Sequence, residues 1–224
     1  MTAEDGPSAG GRSFHTGLPT AVLDAMQIGV IGSVYRGVPF VKSPLDIGLY
    51  LQLLSRLAPR SVIEIGSYAG GSALWFADML TAQGVESPRV VSVDLEIRAG
   101  FTDPRIQFIE GDAAALALAL TPAILANCPR PWLVIEDSSH FYIHASAALG
   151  FFDDHLQAGD YIVVEDGVLA HLSDEGYAVF ENGPNRAVAD FLATRGDRYV
   201  IDTGLCDFYG RNATYNPNGW LRRL

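Results

Sequence analysis

Short runs of β-branched and aliphatic residues alternate along the chain with longer stretches whose apolar positions recur every three or four residues. That alternation predicts an α/β fold. LDIGLYLQLLSRLAP (45–59) has helical spacing and stops at Pro59, and SVIEIG (61–66) reads as a buried strand. GSALWFADMLTAQG (71–84) predicts the next helix, closed by Gly84. Further strands are predicted at RVVSVDLE (89–96), RIQFIEGD (105–112), PWLVIED (131–137) and DYIVVED (160–166), each ending in an acid. Helical stretches near 113–126 and 141–157 separate the later strands, so neighbouring strands should run parallel with right-handed crossovers. NRAVADFLATRGDRYVIDTG suggests a last helix and an edge strand. CDFYGRNATYNPNGWLRRL suggests a hairpin that completes the sheet. Before them, following the acids at 165–166, residues 169–187 have the polarity and glycines of a loop or lid, ending in a Gly183-Pro184-Asn185 turn before the helix.

Composition narrows the function. With 224 residues, 49% hydrophobic and 18% charged, the chain has the make-up of one globular domain. No apolar run approaches the roughly 18–20 residues that cross a bilayer. The first seventeen residues, MTAEDGPSAGGRSFHTG, lack a secretory signal and read as a mobile arm of a cytoplasmic protein. Cys128 and Cys206 make neither a disulfide framework nor a metal pair. A net charge of −11 repels polyphosphate and favours a small-molecule substrate over nucleic acid.

The strand-end acids lie where ligands bind in parallel sheets, outside the carboxyl ends of the strands. VIEIGSYAGGSAL places Gly66, Gly70 and Gly71 between a strand and a helix, but matches neither the dinucleotide pattern nor the P-loop. Glu64 is placed to meet a cationic amino group, Asp94 to accept from ribose hydroxyls and Asp112 to lie near an adenine amino group, a set that fits S-adenosylmethionine. Each acid alone also reads as a helix cap or a solvated carboxylate. Asp137, Glu165 and Asp166 offer hard oxygen ligands suited to Mg²⁺. His140, three residues after Asp137, is the candidate base; alone it also reads as a structural histidine, and with His144 as a zinc pair lacking the usual glutamate. Tyr142, close to His140, is the aromatic residue favoured for the acceptor pocket, whereas Glu136 should point away.

GVPFVKSPLDIGLYLQLLSRLAPRSVIEIGSYAGGSALWFADML, the Asp-x-x-His and Glu-Asp elements, and NATYNPNGWLRR together resemble the cephalosporin hydroxylase-like family of class I methyltransferases, related to rhamnosyl and macrolide-sugar O-methyltransferases. The likeness runs from about residue 35 onward. It implies a Rossmann-like, mostly parallel seven-stranded sheet with an antiparallel C-terminal strand. It also implies S-adenosylmethionine held by Glu64, the loop Gly66, Ser67, Gly70, Gly71 and Ser72, Asp94, Asp112 and Asp137. Mg²⁺ would sit on Asp137, Glu165 and Asp166, with His140 as base and substrate contact. The implied domain is 45–224, preceded by a segment 1–44 that assembles a homo-oligomer or reaches substrate. The implied reaction is O-methylation of a small natural product, a sugar diol or polyketide, in antibiotic biosynthesis. A lyase, cyclase or isomerase on the same fold and a non-catalytic cofactor-binding subunit are the alternatives.

Overall fold

The computed structural model describes residues 11–224 and the backbone of Ser8–Ala9. The five predicted strands form where the β-branched runs lie: β1 Ser61–Ile65, β2 Arg89–Asp94, β3 Ile106–Glu110, β4 Trp132–Glu136 and β5 Tyr161–Val164. β6 Tyr199–Ile201 and β7 Trp220–Arg223 complete a seven-stranded sheet of order β6-β7-β5-β4-β1-β2-β3. β1 to β5 pair in parallel, while β7 runs antiparallel to both β5 and β6. The sheet order reverses between β1 and β4, and this switch point opens a crevice at their carboxyl ends.

Helices cover both faces, which is why the central strands read as continuous apolar runs. α1 Thr20–Ile31, α2 Pro44–Leu57, α3 Gly71–Ala82, α4 Tyr142–Asp153 and α5 Gly183–Arg195 are the long ones. On one face Leu49, Leu53 and Phe76 pack on Val62, Leu133 and Ile135. On the other, Ala145, Leu149 and Phe152 pack on Ile63, Ile65 and Val134. Phe76 and Phe152 are fully buried, and truncating either to alanine should cost about 3–5 kcal/mol.

Four expectations need correction. The helix predicted near 113–126 is broken into a 3₁₀ turn, Ala113–Ala115, and two short helices, Leu116–Ala119 and Pro122–Ala126, because Pro122 holds Thr121 in extended backbone. The C-terminal segment is no tight hairpin: β6 and β7 pair, but residues 202–219 between them form a short helix and a buried loop. The mobile arm, whose residues 1–7 and 10 lie outside the described residues, is docked from Arg12 onward. Arg12 donates to Asp207, Asn212 and Asn218, and Phe14 is buried in the core. Residues 167–171 and 175–180 of the expected lid are 3₁₀ turns, and Gly183-Pro184-Asn185 is the first turn of α5.

The unpredicted α1 buries Leu23 and Val30 against Val168 and Tyr215. α2 starts sharply because Ser43 accepts from the Asp46 amide at 3.1 Å and Pro44 occupies the first helical position. It ends at Ala58, left-handed at φ 46°, before Pro59. Among the described residues no helix is long and apolar enough to cross a membrane.

Candidate active site

β1 and β4 lie side by side, so the turns that follow them are neighbours. Gly66, at φ +103°, passes so close to β4 that a Cβ there would stand 1.9 Å from the Asp137 carbonyl oxygen. Only glycine permits this approach. Gly70 and Gly71 serve packing instead: a Cβ would meet the Phe108 ring at 2.9 Å and the Pro39 carbonyl oxygen at 2.0 Å, respectively. Of the three loop glycines, Gly66 borders the crevice.

Glu64 is wholly buried and its Oε2 accepts from Ser92 at 2.6 Å. Ser92 is also bonded to Ser67, so the Ser67 hydroxyl braces the loop from beneath. Ser72 is buried in the first turn of α3. Glu64 Oε1 has no hydrogen-bond partner among the described residues. Burial raises the Glu64 carboxyl above its ordinary range, with Lys42 opposing. Asp94 accepts from the Tyr68 amide at 2.8 Å, and Asp112 accepts from the Ala114 amide at 2.8 Å. Asp112 is thus both a cap and, with Asp94, Gly66 and Ser138, part of the lining of a cavity of about 130 Å³. A second cleft, of about 470 Å³, shares Gly66, Asp94 and Ser138 and extends to Asp137, His140 and Asp166.

Asp137, His140 and Asp166 each bring one ligating atom within 4.8 Å of the other two. His140 Nε2 lies 3.6 Å from Asp166 Oδ2. Both His140 and Asp166 sit at φ +62°, a backbone region that costs a non-glycine residue about 1–2 kcal/mol and must be held by its surroundings. Gly183 packs against the turn that carries His140, since a Cβ there would stand 2.4 Å from the His140 carbonyl oxygen. Asn216 Oδ1 holds Asp166, accepting from its amide at 3.1 Å. Burial, with Asp137 adding to it and His140 opposing, pushes Asp166 up to about 6. Phe180, from the 3₁₀ turn at 175–180, sets its ring edge-on to His140 at 5.3 Å, with Phe141 5.2 Å from the Phe180 ring.

The structure leaves other expected residues outside this group. Glu165, expected as a ligand, adjoins the group through Lys42: its Oε2 accepts at 2.7 Å from Lys42, which also donates to Asp137, and its Oε1 accepts from the Tyr50 hydroxyl. Tyr142, expected to line the acceptor pocket, points at α5, donating to Asp190 at 2.9 Å with Arg186 over its ring at 5.0 Å. His144 is bonded to Ser139 and lines the smaller cavity, apart from the acid group, so no zinc pair with His140 forms. Glu136 lies away from the group as expected; buried, it is pushed up to about 6 and accepts from Ser138.

Sequence reasoning missed Lys42, Tyr50 and the bed under the site. Asp46 is buried and accepts from Ser43, Thr214 and the Tyr215 amide, tying α2 to the loop that carries Asn216. The signal was present in Ser43-Pro44-Leu45-Asp46, a helix-start pattern whose acid has a second set of donors to satisfy.

The family model described as Rhamnosyl O-methyltransferase/CmcI matches residues 30–224. The chain belongs to this family. The rhamnosyl O-methyltransferase of Mycobacterium leprae (strain TN) is 33% identical over 198 residues, covering 85% of this chain and 83% of that one. Its counterpart in Mycobacterium tuberculosis (strain ATCC 25618 / H37Rv) is 32% identical over 200 residues, covering 85% and 78%. Among solved structures, CmcI with Mg and S-adenosylmethionine superposes with a TM-score of 0.64 at 23% identity, over 87% of this chain and 77% of that one. The class I methyltransferase fold of this Rhamnosyl O-methyltransferase/CmcI family member is therefore shared with a protein whose sequence has largely diverged.

Proposed function

We infer that the chain is an S-adenosylmethionine-dependent, Mg²⁺-assisted O-methyltransferase acting on a sugar hydroxyl, in the manner of the rhamnosyl O-methyltransferases it resembles. One observation carries the reading: Asp94 and Gly66 of the cofactor edge and Asp137, His140 and Asp166 line a single cleft. The residues fit both groups. Glu64 Oε1 has no hydrogen-bond partner among the described residues and is the acceptor proposed for a cationic amino group, Asp94 and Asp112 keep carboxylate oxygens for ribose and adenine, and Gly66 leaves the space a Cβ would fill. Asp137 and Asp166 are the hard donors of a Mg²⁺ site that keeps open positions for acceptor oxygens.

When bound, S-adenosylmethionine supplies an electrophilic methyl group and Mg²⁺ the Lewis acidity that lowers the pKa of an acceptor hydroxyl. The chain's residues do the rest. Asp137 and Asp166 would hold the cation that orients the acceptor, and His140 would take the hydroxyl proton as the methyl group passes from the sulfonium to the acceptor oxygen. Phe180, packed edge-on against the imidazole and backed by Phe141, would cover one side of it from water. A sugar diol is the acceptor proposed, since adjacent hydroxyls could reach a cation held by Asp137 and Asp166; a role in secondary metabolism is part of this proposal. We further propose that α1 and the following ribbon carry self-association, because Ile28, Ile31 and Val34 stand exposed there.

The test is calorimetric titration of S-adenosylhomocysteine with and without Mg²⁺, followed by transfer of labelled methyl to a rhamnoside. Failure to bind the nucleoside removes the reading. Methyl transfer undiminished in His140→Ala removes His140 as base.

A further inference from the structure

Residues 212–219 form neither helix nor strand, yet every one of them is buried. Loops normally run over a surface, because buried backbone and amide groups need partners. Here many of the partners come from residues 12–17, which cross this loop as a strap. Arg12 donates through Nε to Asn218 Oδ1 at 2.5 Å and through Nη2 to Asn212 Oδ1 at 3.0 Å, and it pairs with Asp207. In return the Asn212 side chain donates to the Ser13 and His15 carbonyls, the Asn218 side chain to Ser13, and the Gly17 amide to the Arg211 carbonyl. Asn212 at φ 46° and Asn218 at φ 55° are left-handed, a conformation their surroundings must hold. Between them stands Asn216, whose Oδ1 accepts from the Asp166 amide. Phe14, 3% exposed, anchors the strap, and His171 of the turn after Asp166 is bonded to the Phe14 carbonyl at 3.2 Å. The strap lies outside residues 30–224, the span of the family match.

We propose that Arg12 is a positioning residue for the candidate active site: through Asn212 and Asn218 it fixes the loop that presents Asn216 to the Asp166 turn. This rests on reading Asp166 as part of the cation site. The route is short. Arg12 clamps both ends of the loop, Asn216 sits between them, and the Asp166 amide is one hydrogen bond further on. A guanidinium is required because its planar fork reaches two asparagines and Asp207 together, which a single ammonium does not. The cofactor edge is independent of the strap: Glu64 bonds to Ser92, Asp94 to Tyr68 and Asp112 to Ala114, all on β1 to β3 and the turns that follow them. Loss of Arg12 should therefore weaken the cation site and spare the nucleoside site.

Calorimetric titration of the full chain with S-adenosylhomocysteine alone, then with Mg²⁺ at saturating S-adenosylhomocysteine, reads the two sites separately. Arg12→Ala should bind Mg²⁺ about tenfold more weakly, the low end for residues that orient a metal's ligands from outside, with nucleoside affinity within about twofold of wild type. Arg12→Lys keeps the charge beside Asp207 but loses the fork, so its Mg²⁺ affinity should fall between wild type and Arg12→Ala; it carries the same comparison where Arg12→Ala does not fold. Asn216→Ala should weaken Mg²⁺ at least as much as Arg12→Ala. The double variant Arg12→Ala/Asn216→Ala should lose no more than Asn216→Ala alone, because both act on one contact. A strap that served stability only would lower the melting temperature and leave both affinities of the folded protein unchanged, or weaken both alike. Either result overturns the proposal, as do additive losses in the double variant. A wild type that binds S-adenosylhomocysteine but no Mg²⁺ overturns the cation-site reading and this inference together, whereas Mg²⁺ bound equally by wild type and the Arg12 variants overturns the inference alone.

Discussion

Replacing Gly66 by alanine tests whether the β1 and β4 turns are joined by close contact. The new Cβ would stand 1.9 Å from the Asp137 carbonyl oxygen and 2.5 Å from its carbon. An unstrained carbon-to-oxygen contact is about 3.3 Å, so one turn must move by roughly 1.4 Å. Relieving such overpacking costs about 1–3 kcal/mol, and φ +103° adds about 1–2 kcal/mol for a residue with a Cβ. The sum, about 2–5 kcal/mol, is a large part of a typical domain's stability and should lower the urea midpoint by about 1–2 M. Because the displaced residue is Asp137, the remaining folded enzyme should lose about a hundredfold in methyl transfer. Gly84→Ala is the matched control: Gly84 has φ +79° with nothing within 4 Å of its Cβ, so it carries the backbone penalty alone. Urea unfolding of the two variants decides the matter. A Gly66→Ala protein no less stable than Gly84→Ala would refute the argument from contact.

Glu64→Gln should weaken S-adenosylhomocysteine binding about tenfold or more yet leave the unliganded protein as stable as wild type or more so, since the buried carboxylate has an unpartnered oxygen; calorimetry and thermal melts measure both, and unchanged binding with lower stability would reverse the assignment. Asp46→Ala should destabilise by about 3 kcal/mol in denaturant unfolding, since Ser43, Thr214 and Tyr215 lose a shared buried acceptor. His171 is held below its ordinary pKa by burial, with its bond to the Phe14 carbonyl opposing. The unfolded chain therefore binds the proton more readily, and this contribution to stability is complete above about pH 6.5 and is lost as pH falls through the lower folded value. His171→Gln should flatten that acid slope in melts taken from pH 7.5 to 5.

The sheet was legible because strand-forming runs such as SVIEI and RVVSVD are buried on both faces and carry their signal in every residue. The Asp-x-x-His spacing likewise marked Asp137 and His140, which come together because the chain turns sharply after β4. The partners of Glu165 were not legible: its strand ends at Val164, and only the fold brings Lys42 and Tyr50 to its two oxygens. Lys42 itself gave no sign, because a lone lysine in VPFVKSP reads as a solvated charge until residues 137 and 165 are brought to it across the fold. Tyr142 was lost for a different reason: its direction depends on the phase of α4 against α5, which a short sequence window does not contain. The asparagines of NATYNPNG announced a turn, yet Asn212, Asn216 and Asn218 are buried supports whose partners lie far away in sequence.

The placement of β7 between β5 and β6 also sets a timetable for synthesis. On a ribosome the strand at 161–164 emerges well before the one at 220–223 that covers its edge. At about 5–20 residues per second the interval of about 55 residues lasts roughly 3–11 seconds. Throughout it the hydrogen-bonding edge of β5 is open, and β6 has no neighbour to join. The nascent chain is therefore most exposed to aggregation, and most in need of a chaperone, after its cofactor-edge strands are already made.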